Sequence, residues 1–124
     1  LTGKNPKMSD NSGTRAESGA RGEAVAAGYL EGLGMRLAAK NFRTRHGEID
    51  IVALDGDTLV FVEVKYRSSR GHGAPHEFVT RSKIERIKKA AWYFVERNKL
   101  FDAYMRFDVI GVSPEGIEHF KNAF

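Results

Sequence analysis

Two runs of the chain, residues 47–54 and 58–66, are dense in Val, Ile, Leu and Phe and are separated by the dipeptide Asp55-Gly56. Turn residues between two such runs predict an antiparallel hairpin. Side chains two apart on a strand share a face. Glu48, Asp50, Val52 and Leu54 therefore fall on one side of the first strand, and Leu59, Phe61, Glu63 and Lys65 line up on the second. A strand from Met35 to about Arg43 leads into the hairpin after Gly34. Ahead of it, residues 19–33 are predicted helical, with Val25, Tyr29, Leu30 and Leu33 as the main apolar side chains and glycines at 28 and 32 weakening the helix locally. Downstream, Ser82 and Glu85 fit a capping box that opens a helix reaching about Arg97. Its apolar face holds Ile84, Ile87, Ala91, Phe94 and Val95, while Lys83, Arg86, Lys89 and Tyr93 follow a more polar one. Residues 106–112 read as a further strand, Pro114-Glu115-Gly116 as a turn, and residues 117–120 as a last short strand. The order helix, three strands, helix, strand predicts an α/β fold with a mixed sheet and one domain.

Acidic residues inside these apolar strands change the picture. A two-residue turn at Asp55-Gly56 would set Glu48 opposite Glu63, and a four-residue loop would set Asp50 opposite Glu63; either gathers Asp50, Glu63 and Lys65. Like charges across a hairpin repel, so something must offset them: a divalent cation, Lys65 or solvent. Mg²⁺ fits, because it prefers oxygen ligands and is commonly held by one or two carboxylates, with water and substrate phosphate completing the shell. The plain alternative puts Asp50 and Glu63 at strand ends in water, with Lys65 an ordinary edge lysine. Val60, Phe61, Val62 and Val64 argue against it, since they mark the strand around Glu63 as central.

Composition narrows the class. The 124 residues carry 41% hydrophobic and 29% charged side chains and no cysteine, which excludes disulfides and thiolate metal sites and fits a reducing cytoplasm. No apolar run is long enough to span a membrane and no signal-peptide core opens the chain, so neither membrane insertion nor export is expected. Residues 1–18, rich in Gly, Ser, Asn, Lys and Pro, read as a disordered tail or a cloning remnant, and residues 19–124 as the folded domain.

The net charge of +4 is unevenly placed. Arg67, Arg70, Arg81, Lys83, Arg86, Lys88 and Lys89 face only Glu77 and Glu85 across residues 67–89, a balance of +5. A basic stretch directly after the Glu63-Val64-Lys65 strand stands where a phosphate backbone would approach, although charge runs are often only solvated faces. His72 and His76 are four apart, but Pro75 between them makes a helical zinc pair poor. Glu23 shares a helix face with Ala26, Ala27 and Leu30, where it is either an inward acid or a first-turn glutamate favoured by the helix dipole.

The strings Gly22-Glu23-Ala24, Tyr29-Leu30, Asn41-Phe42-Arg43, residues 47–53, residues 60–67, Arg106-Phe107-Asp108-Val109 and the ending Asn122-Ala123-Phe124 closely resemble the YraN-like family, small bacterial proteins with a restriction-endonuclease-like fold. The first helix and hairpin are further similar to archaeal Holliday junction resolvases of the PD-(D/E)XK nuclease superfamily. That resemblance implies an active site of Glu23, Asp50, Glu63 and Lys65, with Ile49 standing where the superfamily name has proline. It implies a Mg²⁺- or Mn²⁺-dependent nuclease of DNA, branched or single-stranded. Asp50, Glu63, the Val64 carbonyl and Glu23 would serve the metal, and Arg67, Arg70, Arg81, Lys83, Arg86 and Lys89 the nucleic acid. A junction-resolving activity would require a symmetric homodimer. The alternative is a non-catalytic nucleic-acid-binding or partner-binding module that kept the fold. The full set of acids disfavours it, because carboxylates repel phosphate.

Overall fold

A computed structural model describes residues 15–67 and 79–124, with side chains described from residue 19. Helix α1 (Arg15–Gly32) is followed by strands β1 (Arg36–Arg43), β2 (Glu48–Asp55) and β3 (Thr58–Tyr66). Helix α2 (Arg81–Asn98) and strands β4 (Tyr104–Ser113) and β5 (Gly116–Phe120) complete the chain. The five strands form one sheet in the order β1-β2-β3-β4-β5. Only the β3–β4 pair is parallel, as a crossover through α2 requires. This is the expected α/β arrangement with a mixed sheet. Residues 68–78, which include Arg70, His72 and His76, lie outside the described part, as do residues 1–14. Among the described residues, no helix is long and apolar enough to cross a membrane.

The sheet is covered on both faces, which is why β3 is apolar along nearly its whole length. Leu59 and Phe61 turn toward α2 and pack with Ile87, Ala90, Phe94 and Val95. Val60 and Val62 turn the other way, against Ala26, Ala27 and Leu30 of α1. Helix α1 begins at Arg15, earlier than about residue 19, in a stretch of helix-favouring Arg, Ala and Glu. Its buried face also differs from expectation. The two alanines and Leu30 are buried, while Val25 and Leu33 are 47% and 51% exposed. Small residues win because they let the helix backbone approach the sheet; a Cβ on Gly22 would stand 3.2 Å from the Tyr66 Cβ.

Helix α2 is capped by Thr80, whose side chain accepts a hydrogen bond from the Lys83 N–H at 3.1 Å, and not by a Ser82-Glu85 box. Thr80 has extended backbone (φ −68°, ψ 160°), as an N-cap requires, so Ser82 is already inside the first turn. The helix ends at Lys99 in the left-handed conformation (φ 56°). In the hairpin, Asp55 pairs with Thr58, which leaves Gly56-Asp57 as the two-residue turn, with φ +63° at Gly56. The register that follows pairs Ile51 with Val62 and so carries Asp50 toward Glu63.

Candidate active site

The two-residue alternation of β2 is interrupted at Asp50. Ile49 and Val52, three apart, join the α2-side core, whereas Ile51 joins the α1-side core. On the paired strand, Ala39 and Phe42 repeat that three-residue step around Asn41, which has φ 53°. A single outward- or inward-facing set containing Glu48, Asp50, Val52 and Leu54 is therefore not what forms. The local twist frees Asp50 from the core pattern and turns it to the sheet edge of a cleft of about 660 Å³. That cleft is also lined by Glu23 of α1, Glu63 and Lys65 of β3, and Lys83 and Arg86 of α2. It lies toward the carboxyl end of β3, where a parallel pair and its crossover helix open a crevice.

The loop between β1 and β2 forms the rim. Thr44 accepts hydrogen bonds from the N–H groups of His46 and Gly47 at 3.1 Å each, and its hydroxyl donates to the Gly47 carbonyl at 3.0 Å. Gly47 then passes so close to α2 that a Cβ there would stand 2.8 Å from the Arg86 carbonyl oxygen, so only glycine permits this approach. Through it, the start of β2 and the first turns of α2 are held against each other, and Lys83 is brought over Glu63.

Glu63 is 4% exposed. Its Oε2 lies 2.6 Å from Lys83 Nζ and 3.9 Å from Lys65 Nζ. Asp50, partly buried, accepts a hydrogen bond from the Val64 N–H at 2.8 Å, which fixes its carboxyl beside the same strand. Burial, then the Glu63 charge, push the Asp50 carboxyl up to about 8; Glu23 adds to the push, and the Val64 hydrogen bond opposes it. The Lys65 ammonium is depressed, first by burial and then by the charge of Lys83. Burial also works against the Lys83 charge, but its hydrogen bond to Glu63 and their attraction outweigh it and leave Lys83 above its ordinary range. Two lysines and two acids thus share one crevice, with Lys83 carrying the firm charge and Lys65 the weakened one.

The four residues expected as catalytic all line this crevice, but unequally. Asp50, Glu63 and Lys65 meet on one patch of the hairpin, whereas Glu23 acts on Asp50 through its charge. Among the described residues, no three acidic or histidine side chains converge closely enough to hold one ion together. Glu23, on α1, is therefore not gathered with Asp50 and Glu63 into a common ligand set. Mg²⁺ does not need a third acid: two carboxylates, a carbonyl and water satisfy it. The donor chemistry of Asp50, Glu63 and the Val64 carbonyl fits such an ion.

Of the residues expected to meet nucleic acid, Lys83 and Arg86 line the crevice and Lys89 follows along α2. Arg81 is exposed at the helix start, Arg67 follows the last residue of β3 and donates its backbone N–H to the Val112 carbonyl, and Arg70 lies outside the described residues. Lys83, expected at phosphate, stands inside the acid cluster through its 2.6 Å contact with Glu63. With Thr80 and not Ser82 as the cap, Lys83 falls in the first turn of α2.

A second polar cluster lies apart from this crevice. Asp108 is wholly buried and takes Arg106 Nε at 3.0 Å, His119 Nε2 at 2.8 Å and the Asn122 N–H at 3.0 Å. His119 Nδ1 is 3.0 Å from the Tyr29 hydroxyl, and Arg106 reaches Asp55 at 3.0 Å. This network ties α1, β4, β5 and the hairpin turn together, so Asp108 serves the fold and not the Asp50 cluster. Neither Tyr29 nor His119 carried a sequence signal for it.

The sequence model of the uncharacterised protein family UPF0102 matches residues 22–112, a span that contains every residue named above for the crevice. A UPF0102 protein of Geobacter sulfurreducens is 51% identical, over 86% of this chain and 87% of its own length. Relatives from Thermodesulfovibrio yellowstonii and Persephonella marina are 44% and 41% identical, over 97% and 91% of their lengths and 89% and 86% of this chain. This is the family to which the strings around Glu23, Asp50 and Glu63 pointed, and the chain belongs to UPF0102.

Proposed function

We propose that the chain is a divalent-metal-dependent phosphodiesterase acting on DNA, with branched or single-stranded forms as its substrates. The observation that carries this reading is the pair Asp50 and Glu63, set across one hairpin with Lys65 beside them. A purely structural ion pair would need Glu63 and Lys83 alone. Asp50 adds a second acid whose charge is opposed by burial and by Glu63, a cost that a functional site explains and a salt bridge does not.

Asp50, Glu63 and the Val64 carbonyl are the groups that would hold Mg²⁺ or Mn²⁺, with Glu23 near enough to order its water. When bound, the ion would polarise the phosphoryl oxygens and offset charge on the leaving oxygen. The Val64 N–H keeps the Asp50 carboxyl oriented. Lys65, with its weakened ammonium, orients the attacking water and takes its proton, a task eased because burial and the Lys83 charge hold it below the ordinary lysine range. Both lysines meet Glu63 at Oε2, which leaves Oε1 to face a cation while Lys83 stays at the site for the substrate phosphate. Arg86 and Arg81 extend the positive wall toward the backbone, a form of contact that positions without reading sequence.

A panel of labelled single-stranded, duplex, flap and four-way DNA, with RNA alongside, tests the reading. Cleavage of at least one DNA form is expected in Mg²⁺ or Mn²⁺, and none in EDTA. Binding without cleavage of any member would leave a non-catalytic nucleic-acid module.

A further inference from the structure

A second cavity, of about 520 Å³, opens on the α2 surface beside the crevice and is lined by His46, Lys88, Lys89, Trp92, Tyr93 and Glu96. His46 lines both cavities, so the two adjoin at one side chain. Its imidazole stacks on the Tyr93 ring with centroids 5.5 Å apart and planes 11° from parallel, on the rim loop that Thr44 holds in place. Next to it Trp92 is 51% exposed and meets the edge of Phe101, itself 59% exposed. The fold does not need Trp92 for its core, since Ile87, Ala90, Ala91, Phe94 and Val95 already bury the inner face of α2. Along that helix Arg86, Lys89 and Tyr93 stand at i, i+3 and i+7, which draws one stripe from the crevice to the second cavity.

Flat aromatic faces flanked by lysines suit one class of ligand. Every unpaired base offers a π-face that stacks on Trp, Tyr or His whatever its identity, while lysines follow the phosphates between bases. In a duplex those faces are already stacked and out of reach. We propose that the His46, Tyr93 and Trp92 surface is a base-stacking subsite for unpaired nucleotides, which feeds a single strand past His46 to the Asp50 and Glu63 crevice. The proposal rests on the nuclease reading and narrows it: the substrate carries a single-stranded segment next to the bond that is cut.

Trp92 is the chain's one tryptophan, so its fluorescence reports directly on the subsite. The full chain is titrated in EDTA with an oligothymidylate of about twelve nucleotides and with a duplex of equal length, each followed by Trp92 emission and by the anisotropy of a label on the DNA. Saturable quenching by the single strand, and little by the duplex, is the expected result. Trp92→Ala should weaken single-strand binding about tenfold, with Trp92→Phe restoring most of it, and Tyr93→Ala should weaken it while leaving Trp92 as reporter. Anisotropy showing tight binding with Trp92 emission unchanged, and with Trp92→Ala as tight as the parent, would overturn the subsite and leave the nuclease reading standing. No binding of either DNA, together with no cleavage across the panel, would sink both. A Trp92 emission that follows protein concentration instead of DNA, with Trp92→Ala shifting the sedimentation coefficient, would make this face a contact between two copies and overturn the proposal.

Discussion

Replacing Lys65 with alanine is expected to slow phosphodiester cleavage by about a hundred- to ten-thousand-fold, the range associated with losing a positioned acid or base. The fold should survive. Lys65 is the more distant of the two cations on Glu63, at 3.9 Å against 2.6 Å for Lys83, so its removal leaves the buried carboxylate paired. It also removes the repulsion between the two ammonium groups, which after burial is the next cause of the Lys65 depression. Lys83→Ala supplies the contrast. It strips Glu63 of its hydrogen-bonded cation and should lower the melting temperature, since a buried charge without its partner is costly. Single-turnover rates and thermal melts on both variants separate the roles. Lys65→Ala cutting as fast as the parent, at equal stability, would remove Lys65 from the chemistry.

The second large effect is in stability against pH. The Asp50 carboxyl titrates near 8 in the fold and near 3.8 when unfolded, so between these values the native state holds a proton that the unfolded chain has lost. Raising the pH through that window therefore destabilises the metal-free protein, by at most about 1.4 kcal/mol for each pH unit. Asp50→Asn keeps an oxygen for the Val64 N–H and carries no charge. It should melt with the parent only below about pH 4 and increasingly above it as the pH rises to 8, with a gain on the order of a few kcal/mol at the higher pH. The same linkage makes cation binding release a proton, so affinity for Mn²⁺ should rise between pH 6 and 8. A parent protein whose stability is flat across this range would mean that Asp50 is solvated and ionised in the fold.

Much of this was legible in the chain because it depends on periodicity. The hairpin, the central position of β3 and the burial of Glu63 follow from apolar residues on both sides of one acid. The α2 core face follows from Ile87, Ala91, Phe94 and Val95 at helical spacing. What stayed hidden depends on geometry between elements. The step in alternation at Asp50 needs the left-handed Asn41 across the strand pair, and no single-strand pattern announces it. Thr80 outcompeted Ser82 as the cap because the chain enters the helix one turn earlier than the apolar pattern starts. Lys83 reads as one more surface cation until the Gly47 approach shows how close α2 comes to β2. The Tyr29, His119 and Asp108 network joins residues up to 90 positions apart, beyond the reach of local spacing.

If Asp50 and Glu63 form one divalent-cation site, a calorimetric titration of Mn²⁺ into the full chain at pH 8, without DNA, shows saturable binding of an ion with proton release. That binding is lost in Glu63→Gln and in Asp50→Asn while both variants stay folded. Absence of any Mn²⁺ or Mg²⁺ binding at millimolar concentration, or binding that both variants retain in full, would contradict such a site.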